Sequence, residues 1–166
     1  MSLSDERLER LAQAAHELFC ADLRVRGYRF GPTTDESLRT HSALRPFREL
    51  PPDEQEQNRD TVREIPAKLA ALGLRLASAD GGASVTLSPE ELERLAELEH
   101  ERWVRAKEAA GWRYGPRTDK AARLHHNLVP WADLSEADQE KDRVMVRGIP
   151  ELVALAGYRV ERAATA

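Results

Sequence analysis

The chain carries one stretch twice. Residues 27–36 read GYRFGPTTDE and residues 111–120 read GWRYGPRTDK, and the offset from Gly27 to Gly111 is 84 positions. The same offset aligns Leu11–Arg75 with Leu95–Arg159 without a gap. His16-Glu17 falls on His100-Glu101, Thr34-Asp35 on Thr118-Asp119, His41 on His125, and Pro46-Phe47 on Pro130-Trp131. A gap-free doubling of this length restricts the fold to two copies of one unit. Two units are too few for a solenoid with a continuous core, so a closed pair about a pseudo-twofold axis is predicted. The copies are read as residues 4–76 and 88–160. The small, polar segment 77–87 is the linker between them.

Each copy opens on a helix. Ser88-Pro89-Glu90-Glu91 supplies an N-cap, a proline at the first helical position and an acid three residues after the cap. The helix then runs to about Ala110 and stops at Gly111. The first copy opens similarly at Ser4 and ends at Gly27. A long loop follows, and then a second helix capped by Ser135 with Asp138. Gly148-Ile149-Pro150 should kink or restart that helix, because proline removes a backbone donor. Leu72–Leu76, Ser84–Leu87 and Gly157–Val160 can form small strands. The expected fold is mainly α, with two tandem copies, each of two main helices and a long loop, and a little antiparallel sheet. Trp103, Phe19, Trp131 and Phe47 are expected in the core, and His16 and His100 as buried, hydrogen-bonded histidines.

Composition removes several function classes. The net charge is −4, which argues against a general nucleic-acid polymer as partner. No apolar run is long enough to cross a bilayer, and MSLSDERLER lacks the apolar core of a signal peptide. The lone Cys20 excludes an internal disulfide. A cytoplasmic protein without membrane partners is the expectation. There is no HExxH, no P-loop, no nucleophile elbow and no zinc spacing, so no enzyme, metal site or cofactor is expected.

HERW, GWRYGPRTD, HHNLVPW and EKDRVMVR, in this order, resemble the ryanodine receptor repeat, or RyR domain. The resemblance covers about Leu8–Leu76 and Leu92–Val160 and is closer in the second copy. The first departs with Phe19 for Trp103, Tyr28 for Trp112, Phe30 for Tyr114 and Arg45 for Val129. It implies a tandem pair of the free-standing prokaryotic type, forming a horseshoe whose cleft holds an adenine nucleotide between the copies. It further implies a role in sensing nucleotide or NAD-derived signals, as in antiviral defence, with an effector protein as a further partner.

The loop residues suit such a ligand. Tyr28, Trp112 and Tyr114 offer flat faces on which a purine can stack. Arg29, Arg39, Arg113 and Arg123 present guanidinium forks matched to phosphate oxygens. Asp35 and Asp119 could accept hydrogen bonds from ribose hydroxyls, or hold the loop through their own backbone. Two alternatives remain open at this point. One is a protein-interaction module without a small ligand. The other is a metal-dependent nucleotide hydrolase using His100, His125 or His126.

Overall fold

The computed structural model describes residues 3–165, which are mainly helical. The elements of the first copy are α1 (Asp5–Val25), β1 (Arg29–Phe30), β2 (Thr40–His41), α2 (Pro52–Arg63), α3 (Ile65–Ala70) and β3 (Leu74–Ser78). Those of the second are α4 (Pro89–Ala109), β4 (Arg113–Tyr114), β5 (Leu124–His125), α5 (Glu136–Arg147), α6 (Ile149–Ala154) and β6 (Tyr158–Arg162). Every boundary repeats at the offset of 84.

The helix starts follow their caps. Ser88 Oγ accepts from Glu91 N at 3.1 Å and Glu91 Oε1 accepts from Ser88 N at 3.0 Å, a complete capping box at α4. Ser4 accepts from Arg7 N at α1. Gly111, with φ 86°, takes the left-handed conformation that turns the chain off α4, and Gly27 does the same after α1. The second helix is interrupted at the proline: α5 ends at Arg147 and α6 restarts at Ile149 with Pro150 in its first turn. The same break separates α2 from α3 at Pro66.

The chain divides into two compact units. One comprises the residues up to Val85 together with those from Gly148 onward; the other is Thr86–Arg147. The end of the second copy, α6 and β6, therefore completes the unit built on the first. There β3 and β6 form an antiparallel ribbon from Leu74↔Arg162 to Ser78↔Tyr158. Leu74, Leu76, Tyr158 and Val160 bury one face of it. Arg10 donates to Leu155 O at 3.3 Å, and the Arg7 guanidinium lies over the Tyr158 ring and bonds its hydroxyl. In the other unit α4 packs on α5, with Leu95, Ala96, Leu134 and Val146 buried.

One expected strand needs correction, and four short strands were not expected. Ser84–Leu87 forms no strand; it runs alongside β6, where Val85 N donates to Val160 O at 2.9 Å and Ser84 Oγ accepts from Val160 N. The antiparallel pairing expected of the sheet is found in β3–β6, whereas the short pairs β1–β2 and β4–β5 are parallel. Each is only two residues long, and the loop between them makes a full turn before rejoining. Gly115 makes this approach possible: a Cβ there would stand 2.9 Å from Leu124 Cβ.

Candidate functional site

The repeated loop is a built structure. In the second unit Arg113 N donates to Arg123 O at 3.0 Å, and Asp119 and Leu124 exchange both backbone bonds at 2.9 Å. Asp119 Oδ1 accepts from Ala122 N at 3.1 Å. In the first unit Asp35 Oδ1 accepts from Ser37 N, Leu38 N and the Ser37 hydroxyl. Those bonds, the Ser37 hydroxyl first, hold the Asp35 carboxyl below the usual carboxylate range. Both aspartates thus shape the loop through Asx turns and spend Oδ1 in doing so.

Arg123 and Arg39 have left-handed backbones, with φ 53° and 51°. Arg123 Nη1 donates to Ala110 O at 2.7 Å and Arg39 Nη1 to Arg26 O at 3.0 Å. Each ties the loop to the carboxyl end of the preceding helix, where a cation is favoured. The four neighbours divide differently. Arg29, Phe30, Arg113 and Tyr114 point into solvent; Phe30 is 53% and Tyr114 57% exposed. Trp112 is half-buried, with Lys107 Nζ 4.3 Å from its ring centroid. Tyr28 is half-buried against Cys20, Leu23 and Leu44.

Beneath the loop runs a ladder of rings. Trp112 meets His125, His125 meets Trp103 edge-on at 4.8 Å, Trp103 stacks on His100, and His100 meets Trp131. The Arg143 guanidinium covers Trp131 and is itself held by Glu93 at 2.8 Å and Glu136 at 2.6 Å. The first unit repeats the series as His41, Phe19, His16, Phe47 and Arg59, with Glu9 at the end. Phe47 is buried as expected, but Phe19, Trp103 and Trp131 are only half-buried.

The histidines are fixed by backbone partners. His16 Nε2 donates to Arg45 O and His100 Nε2 to Val129 O, both at 2.7 Å, and both rings are buried. His125 Nδ1 accepts from Asn127 N at 3.0 Å. Its pKa is lowered to about 4, by burial first and then by the charges of His126 and Lys107. Cys20 donates to Ala43 O, and burial pushes its thiol pKa up. Among the described residues no three His, Cys, Asp or Glu side chains gather as a metal cluster, and no helix is long and apolar enough to cross a membrane.

Sequence reasoning did not foresee the histidine–aromatic ladder or its guanidinium caps. Their signal is the exact recurrence of Glu9, His16, His41 and Arg59 as Glu93, His100, His125 and Arg143. On the second helices Arg63 pairs with Glu56 and Asp60, and Arg147 with Glu140.

The fold is thus a doubled helix–loop–helix unit whose loop is pinned to the helix before it. The model of the RyR domain matches residues 3–78 and again 84–162. The chain belongs to the RyR domain family and contains two such domains in tandem.

Proposed function

We propose that the protein is a non-catalytic binding module for an adenine nucleotide or an NAD-derived nucleotide, and that it returns the ligand unchanged. One observation carries this reading: a rigidly held loop presents Arg113 and Tyr114 to solvent beside the half-buried Trp112. A purine on such a ring gains about 1–3 kcal/mol by stacking, and an unpaired guanidinium fork suits its phosphates. Because Arg39, Arg123, Asp35 and Asp119 are engaged in holding the loops, Arg113 and Arg29 are the favoured phosphate contacts.

Isothermal titration with ATP, ADP-ribose and adenosine tests the proposal. Trp112→Ala should weaken all three by about 1–3 kcal/mol. Arg113→Ala should weaken the two phosphate-bearing ligands and leave adenosine nearly unchanged. Wild-type affinity in folded variants would remove the loop from recognition, and chromatographic detection of turnover would overturn the non-catalytic part. The exposure of Phe30 and Leu38, 53% and 61%, favours protein docking as the second reading. Absence of saturable binding by any of the three ligands would favour it.

A further inference from the structure

Beside α1, the first unit contains an open groove of about 380 Å3. It is lined by Gln13, His16, Glu17, Cys20 and Arg24 of α1 and by the segment Arg45–Arg48. The volume falls in the range of small-molecule sites.

Three guanidinium groups, Arg24, Arg45 and Arg48, line this one groove, and none forms an ion pair among the described residues. On α2 and α5, by contrast, the arginines Arg59, Arg63, Arg143 and Arg147 are matched to Glu9, Glu56, Glu93 and Glu140. Arg45 is the more telling because its Nε is buried and has no hydrogen-bond partner. A desolvated donor on a cation costs free energy until an acceptor reaches it.

The second copy supplies an internal control. At the offset of 84, Arg24, Arg45 and Arg48 become Glu108, Val129 and Ala132, and Gln13 becomes Glu97. His16, Glu17 and Pro46 are retained as His100, Glu101 and Pro130, so the frame is the same. The fold therefore does not need these arginines. Over the lining positions the first copy carries three arginines against one glutamate, and the second carries three glutamates and no cation. Glu17 accepts hydrogen bonds only, and Gln13 both donates and accepts, which suits hydroxyl groups on the body of a ligand.

We infer that this groove is an anion site of the first copy alone, taking a phosphate monoester on a hydroxylated body such as a sugar phosphate. Arg45 Nε and the Arg24 and Arg48 forks receive the phosphate oxygens, and Glu17 and Gln13 receive hydroxyls. The groove shares no residue with the Trp112–Tyr114 surface, and the inference does not depend on that surface binding nucleotide.

The test is titration of the whole protein with ribose 5-phosphate, followed by calorimetry and by the arginine Nε–H resonances in 15N-resolved NMR. Ribose is the control. Saturable binding should shift the Arg45 Nε–H signal, and ribose should leave it in place. Arg45→Val and Arg48→Ala install the residues the second copy already carries, and each should weaken binding about tenfold or more. Arg113→Ala should have no effect. Absence of saturation, wild-type affinity in folded Arg45→Val or Arg48→Ala protein, equal binding of ribose, or loss of binding in Arg113→Ala would each overturn the inference.

Discussion

Leu76 pairs with Val160 across the β3–β6 ribbon, and Val160 is its own counterpart at the offset of 84. The flanking pairs Arg75↔Glu161 and Ala77↔Arg159 exchange places under the same offset, so the ribbon has a local two-fold through the Leu76–Val160 pair. A strand that faces its own repeat can also face a second copy of itself. A fragment ending at Val85 should therefore dimerise through β3, with Leu76 opposite Leu76, since an unpaired apolar edge is a template for pairing. Analytical ultracentrifugation checks this; a folded monomer would contradict it.

Glu99 and Arg102 form a buried pair on α4, 4% and 7% exposed, with contacts of 2.8–3.1 Å. Arg102→Ala should destabilise the protein by about 3–5 kcal/mol, because it removes one side of a buried, hydrogen-bonded ion pair. The corresponding first-copy residues are Ala15 and Leu18. Replacing both together, Glu99→Ala with Arg102→Leu, should recover most of that loss. Urea denaturation of the single and double variants measures both.

His125 makes stability depend on pH in a defined direction. In the folded protein it takes a proton only near pH 4, whereas an unfolded histidine does so near its ordinary value of 6.5. Between these values the unfolded state binds the extra proton, so stability is full above about 6.5 and is lost as pH falls toward 4. Protonation would also oppose the Asn127 N–H that His125 Nδ1 accepts. An NMR titration of the ring should give a midpoint near 4, and His125→Asn should flatten the stability profile in this window. A midpoint near 6.5 would remove the effect.

Arg123 combines a left-handed backbone with a bond to the end of α4. Arg123→Ala keeps the unfavourable backbone and loses the bond, and should cost about 1 kcal/mol. Arg123→Gly loses the same bond but relieves a conformation that costs an L-residue about 1–2 kcal/mol. Glycine should therefore be the milder substitution, as thermal denaturation would show.

What the sequence displayed was whatever local chemistry decides. Ser88 with Glu91, Gly111 and Pro150 marked the helix start, the helix end and the restart without reference to distant residues. The parallel pairing of β4 with β5 was hidden, because nine residues are fewer than a parallel crossover normally needs. The loop manages it through the Asp119 turn and the left-handed Arg123. At the candidate site, Arg113 and Tyr114 carried their exposure in the text of the loop. The ladder from His125 to Arg143 did not, since it joins residues on four segments, β5, α4, the turn at Trp131 and α5, whose approach only tertiary packing fixes.

The ribbon also bears on the order in which the molecule can be completed. The ribosome must make all of Thr86–Arg147 before the strand that finishes the first unit exists. A nascent chain therefore carries β3 with its edge unpaired and Leu74 and Leu76 uncovered while the second unit is emerging. The sequence made first is among the last to be sealed, and its vulnerable interval lasts about as long as translation of the second domain.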